Sequence, residues 1–138
     1  MENNTFSNLV IGQRASLSKT VTEEDVFAFA KVTGDMNPLH LDPEYAKDTI
    51  FGERIAHGML SASYISALLS QKLPGPGNIY LNQTLKFLAP VKFGDTITAT
   101  VEITQLIPEK NRVVLKTTCT NQDGFLVIDG DALCKVPK

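Results

Sequence analysis

"HGMLSASYISALLSQKLPGPG", residues His57 to Gly77, decides the fold. From Met59 to Leu69 its only polar groups are Ser61, Ser63, Ser66 and the Tyr64 hydroxyl, and no charge appears before Lys72. A helix that is apolar on nearly every side must be enclosed by other structure. The segment is too short to span a membrane, which takes about 20 residues. Pro74-Gly75-Pro76-Gly77 then stops it. A central, buried helix is therefore expected.

C-terminal to this helix the apolar period changes to two. Ile79, Leu81, Leu85 and Phe87 alternate with polar neighbours, as do Ile97, Ala99, Val101 and Ile103. Val113, Leu115 and Cys119 share one face of a third strand, and Leu126, Ile128, Ala132, Cys134 and Val136 share one face of a fourth. Turn signals separate the runs at Phe93-Gly94-Asp95, Pro108-Glu109-Lys110-Asn111 and Asn121-Gln122-Asp123-Gly124. Consecutive strands joined by short turns make an antiparallel sheet, one face of which can wrap the helix. The expected class is α+β, and the pattern fits a hot-dog fold. Such a sheet has open edges, and pairing of two copies closes them, so a homodimer is expected.

N-terminal to the helix, Ile11 to Val21 reads as a lead-in containing a short strand. Thr22-Glu23-Glu24-Asp25 reads as a helix start, with a Thr cap and three acids at the positive helix end. Val26, Phe27, Phe29, Ala30 and Val32 give that helix an apolar face, and Gly34 ends it. Asp42-Pro43-Glu44 reads as a second cap, with Pro at the first helical position of a short helix carrying Tyr45 and Ala46. Residues 49–56 read as irregular.

The 138 residues fit a single domain spanning 1–138. A net charge of −2 without basic clusters argues against a nucleic-acid partner. Cys119 and Cys134 have no metal-ligand spacing and read as buried, reduced thiols. The start Met1-Glu2-Asn3-Asn4 has neither the apolar segment of a secretory signal nor the arginines of a transit peptide. A soluble cytoplasmic protein with no membrane association is expected.

Between the first two helices lies "GDMNPLH", residues Gly34 to His40. An acid and one of the chain's two histidines stand five residues apart around Asn-Pro. A polar connection between helices accounts for Asn and Pro without the histidine. Alternatively, a turn at Asn37-Pro38 folds Asp35 and His40 into one pocket, with Asn37 bonding the local backbone. Downstream, His57-Gly58 opens the buried helix, where free N–H groups favour negative charge and Gly58 permits close approach. An acid, an imidazole and backbone donors suffice for proton transfer beside a carbonyl. Asp35, His40 and His57 lack standard metal-ligand spacing, so no metal is expected. No GxSxG elbow surrounds Ser61, Ser63 or Ser66.

"GDMNPLHLD", "ERIAHGML" and "NQTLKFLAPVKFGDTITATVEI" together resemble the MaoC-like, or hydratase 2, family of (R)-specific enoyl-CoA hydratases. The resemblance covers nearly the whole chain, which is similar in length to the short bacterial members linked to polyhydroxyalkanoate monomer supply. It implies reversible hydration of trans-2-enoyl-CoA to (R)-3-hydroxyacyl-CoA. Asp35 and His40 match the catalytic pair, Asn37 the residue that shapes their loop, and Gly58 the glycine whose N–H binds the thioester oxygen. Ser66 matches a serine facing the site. Leu69 and Leu133 match positions that set acyl length, and their bulk leans toward short or medium chains. Coenzyme A enters as part of the acyl-CoA substrate, and no separate cofactor is implied.

Two other functions stay open at this point. A hot-dog thioesterase uses an acid to direct water at the thioester carbonyl, and a non-enzymatic acyl-CoA-binding module needs only the pocket. The histidine beside the acid favours the hydratase over both. Other residues take plainer expectations. Phe27 and Phe29 belong to the core, while Lys110, Arg112 and Lys116 are scattered surface cations. Glu53 and Arg54 form a surface pair over the pocket. Gln83 either faces the pocket or interrupts an apolar strand face.

Overall fold

The computed structural model describes residues 4–138. The absence of a leader expected from Met1 to Asn3 lies outside the described residues. Thr22 starts α1 (Glu23–Thr33) with a reciprocal capping box: the Asp25 N–H donates to the Thr22 hydroxyl, and the Thr22 N–H to the Asp25 carboxylate. Gly34 closes the helix at φ 81°, a left-handed conformation that a side chain would strain. Two short helices follow, α2 (Pro38–Leu41) and α3 (Pro43–Lys47), each with Pro at its start and capped by Asn37 and Asp42 respectively. The long helix is α4 (Gly58–Gln71).

The strands are β1 (Arg14–Thr20), β2 (Ile79–Gln83), β3 (Lys86–Phe87), β4 (Thr96–Ile107), β5 (Arg112–Thr120) and β6 (Leu126–Lys135). They form one antiparallel sheet in the order β1-β4-β5-β6-β2, with β3 also paired to β6. The sheet wraps α4, the arrangement of a hot-dog fold. Ile97, Ala99, Val101 and Ile103 of β4 and Val113, Leu115 and Cys119 of β5 all point inward, as their alternation predicts. They meet Ile65, Leu68 and Leu69 of α4 in a shared core. Each fully buried large aliphatic side chain there contributes about 1.5–3 kcal/mol.

Three expectations need correction. First, α4 is not enclosed on every side: Met59, Ser63, Ser66 and Ser70 form an exposed stripe. The serines mark this stripe, since their spacing follows the helical repeat. Second, the strand expected over 79–87 breaks in two. At that break β6 passes so close that a Cβ on Gly130 would lie 1.8 Å from the Thr84 carbonyl oxygen. As an edge strand, β2 exposes Ile79, Tyr80 and Leu81 rather than burying one face. Third, Val26 and Ala30 alone are fully buried on α1, with Phe29 partly buried, whereas Phe27 and Val32 face outward.

Candidate active site

The site forms where the α1–α2 loop meets the start of α4. After Gly34 reverses the chain, a ladder of local bonds shapes the loop. The Asp35 N–H donates to the Thr33 hydroxyl, the Asn37 N–H to the Asp35 carboxylate, and the Leu39 N–H to the Asn37 side-chain oxygen. Asn37 thus caps α2, and Pro38 fixes its first turn. One helical turn carries His40 inward, leaving it 8% exposed, while Asp35 stays exposed at the rim.

The His40 Nδ1–H donates to the Ile55 carbonyl at 2.7 Å. A carbonyl only accepts, so Nδ1 holds the proton and Nε2 keeps its lone pair. The Ile55 segment is itself fixed: Ile55 bridges Lys92, and the Ala56 N–H donates to the Val91 carbonyl. Burial depresses the His40 pKa below the ordinary value of 6.5. The Ile55 bond opposes this, repulsion from His57 adds to it, and the Asp35 charge opposes it again, in decreasing order of effect. His40 is therefore poised as a neutral base at neutral pH.

A donor atom from each of Asp35, His40 and His57 lies within 4.8 Å of the other two. A water molecule or a divalent ion can be held by such a set, and sequence spacing does not signal it. The three residues sit at the polar end of a cavity of about 520 Å³, whose walls include Phe87, Val91, Val127 and Ile128. Gly58 also lines the cavity, at the first position of α4. Its N–H has no acceptor among the described residues, so it is free for an incoming oxygen.

A Cβ on Gly58 would lie 2.7 Å from two ring carbons of Phe87. Alanine is otherwise favourable at a helix start, and within the single chain the half-exposed Phe87 ring can turn aside by a rotation of its own side chain. Gly58→Ala is therefore expected to fold, with a thermal midpoint lowered only by the cost of shifting that ring. In the reaction that the family resemblance implies, it would lower kcat/KM by about 10²-fold, by displacing an oxygen that accepts from the N–H. A turnover assay beside a melting curve checks both parts.

The structure brings Asp35, Asn37, His40 and Gly58 together. It does not bring Ser66, Leu69 or Leu133 to this cavity. Ser66 lies on the exposed stripe of α4, Leu69 faces the core, and Leu133 is half-buried on β6. The bulk of Leu69 and Leu133 therefore gives no guide to acyl length within this cavity. Ser61 lines the cavity instead, fully buried, and its hydroxyl has no partner among the described residues. Five residues separate Ser61 from Ser66, about 140° of helical rotation, whereas His57 and Ser61 are four apart and share a face. That spacing was the available signal for Ser61.

Gln83 does not line the cavity. It donates to the Thr84 carbonyl and the Thr117 hydroxyl, and accepts from the Tyr80 hydroxyl. Glu53 and Arg54 do not pair with each other: Glu53 meets Lys92, and Arg54 meets Glu23. Lys116 is paired with Asp129, and Lys110 and Arg112 lie at the β4–β5 turn, away from the cavity. Cys119 and Cys134 are buried and unpaired, and burial pushes both thiols up to about 12, far from reactive thiolates.

Comparison with known proteins places this geometry in a family. The MaoC-like domain matches residues 8–123. The chain is 54% identical over 132 residues to the (R)-specific enoyl-CoA hydratase of Rhodospirillum rubrum, covering 96% of this chain and 91% of that protein. An unliganded R-hydratase of Pseudomonas aeruginosa superposes with a TM-score of 0.93 at 48% identity, over 99% of this chain and 87% of that one. The (R)-hydratase of Aeromonas caviae involved in PHA biosynthesis does so with a TM-score of 0.91 at 48% identity, over 94% and 98%. The chain belongs to the MaoC-like family.

Proposed function

We propose that this protein is an (R)-specific enoyl-CoA hydratase, adding water reversibly across the double bond of trans-2-enoyl-CoA to give (R)-3-hydroxyacyl-CoA. The observation that carries this reading is the convergence of the Asp35, His40 and His57 donors within 4.8 Å at the polar end of an otherwise apolar cavity. One water donates its two protons to the Asp35 carboxylate and to His40 Nε2. Its oxygen attacks C3 as one of the pair takes a proton, and a proton returns to C2. Negative charge that develops on the thioester oxygen is met by the Gly58 N–H. The Rhodospirillum rubrum relative is named an (R)-specific enoyl-CoA hydratase, and the two solved relatives are named R-hydratases.

Coenzyme A is part of the substrate in this scheme, and no separate cofactor or metal enters it. A homodimer belongs to the same proposal: a second copy would cover the apolar side chains that β2 and β3 expose, among them Ile79, Leu81 and Phe87. A cytoplasmic location is proposed with it. No helix among the described residues is long and apolar enough to cross a membrane.

The test is a series of trans-2-enoyl-CoA substrates of rising length, followed by loss of enoyl absorbance with free-thiol detection alongside. Absorbance loss without thiol release supports hydration. Thiol release indicates a thioesterase, and tight binding without turnover indicates a binding module.

The pH dependence has a definite sign. His40 must be neutral to accept a proton, so activity is lost as pH falls through its pKa. That pKa lies below the ordinary 6.5. The acid limb of kcat/KM, which reports the free enzyme, is expected below pH 6.5. A limb above pH 7 contradicts the assignment of His40 as base.

A further inference from the structure

We propose that His57 is a positioning residue: its Nε2–H ties down the backbone of Asp35 while its ring backs the imidazole of His40. This inference rests on the hydratase reading for its effect on rate. His57 Nε2 lies 3.0 Å from the Asp35 carbonyl oxygen, across 22 residues of chain. The carbonyl can only accept, so Nε2 bears the proton and Nδ1 is left with a lone pair. The ring centroid of His57 lies 3.9 Å from that of His40, with the planes inclined by 32°. Phe29 of α1 contacts the same ring at 5.0 Å. One side chain thus touches both members of the catalytic pair, one through its backbone and the other through its ring.

The position of His57 in the helix strengthens the case. It occupies the cap of α4, where a side chain ordinarily accepts from the first turn, yet it makes no capping bond. Instead it reaches back to the loop that holds Asp35. It is 2% exposed, and its Nδ1 is buried without a partner among the described residues. Packing alone is served by an apolar ring in this slot, without an orphaned nitrogen. The bond to Asp35 gives the imidazole its use. The titratable groups that face His40 are Asp35, from the loop, and His57, from the start of α4; Phe29 brings no charge. The neighbouring His57 ring lowers the His40 pKa, so removing His57 makes His40 easier to protonate.

Two variants separate the contacts. His57→Phe keeps an aromatic ring against His40 and removes the N–H donor. His57→Gln keeps an N–H donor and removes the ring. The chain has two histidines, so in either variant the single imidazole NMR signal belongs to His40. His57→Phe is expected to lower kcat by about 10²-fold, with KM changed much less, because the loop carrying Asp35 is released. His57→Gln is expected to restore part of that loss. In both variants the His40 titration midpoint moves to higher pH than in the wild type, and the acid limb of kcat/KM follows it.

The proposal is overturned if folded His57→Phe keeps wild-type kcat, or if the His40 midpoint is the same in all three proteins. Should His57→Phe fail to fold, the His40 midpoint in His57→Gln decides alone. The NMR midpoint does not depend on turnover. Shifted midpoints in a protein without hydratase activity would sink the hydratase reading and leave the His57 contacts standing. Unshifted midpoints in an active hydratase would do the reverse.

Discussion

Replacing His40 with alanine is expected to lower kcat for crotonyl-CoA by about 10²–10⁴-fold, the usual contribution of a positioned general base. The lost group is a neutral imidazole whose Nδ1–H is fixed on the Ile55 carbonyl, so that Nε2 has one task left. KM is expected to change far less, because the cavity walls and the Gly58 N–H remain to hold the thioester. Residual turnover should also lose the acid limb assigned to His40. The substitution removes a buried ring and leaves the Ile55 carbonyl without its donor, so some stability is lost as well. Circular dichroism and a melting curve at the assay temperature separate that loss from the loss of chemistry. A folded His40→Ala variant at near wild-type rate excludes His40 from the reaction.

Asp35→Asn gives the cleaner second case, with a loss of the same order, about 10²–10⁴-fold in kcat. Asp35 is exposed at the rim, and its carboxylate accepts only a long bond from the Asn37 N–H, at 3.4 Å. Asparagine reproduces that acceptor, so the loop and the fold are retained. What disappears is the negative charge facing the water. Combining Asp35→Asn with His40→Ala should reduce the rate little beyond either single change, because the two groups act on one solvent molecule. Strictly multiplicative losses would place them on separate steps. Single-turnover measurements on the four proteins decide between these outcomes.

The parts of the fold legible in the sequence are those where one face alone meets the core. The alternation survives in the burial of β4 from Thr96 to Ile103 and of all of β5, because these stretches lie mid-sheet with the helix on one side. The same rule fails for β2. Its apolar side chains stand at a sheet edge, and periodicity cannot tell a buried strand face from an exposed one. The uniformly apolar run marks α4 as the centre of the fold, but its four serines divide. Ser61 turns into the cavity, while Ser63, Ser66 and Ser70 line the open stripe.

Within the site, Asp35, Asn37 and His40 were legible because a short loop with Asn-Pro at its middle limits where the chain can go. The capping bond from the Leu39 N–H to Asn37 is the kind of local contact that composition announces. The sequence marks His57 by its place beside Gly58 and says nothing of its contacts. A hydrogen bond between residues 22 apart, and a ring set against His40, depend on how α4 docks against the α1–α2 loop. The cavity lacks Ser66, carried over as a serine facing the site, and Leu69 and Leu133, carried over as setting acyl length, for a related reason. Helical rotation and strand pleat decide which side chains share a cavity, and family position alone does not.

Hydration of the double bond is checked by turnover of a trans-2-enoyl-CoA in ¹⁸O-labelled water, with the products analysed by mass spectrometry and their configuration determined. It predicts an intact coenzyme A thioester carrying one heavy oxygen in a C3 hydroxyl of R configuration. Heavy oxygen in the carboxylate of a released free acid, or a hydroxyl of S configuration, would contradict it.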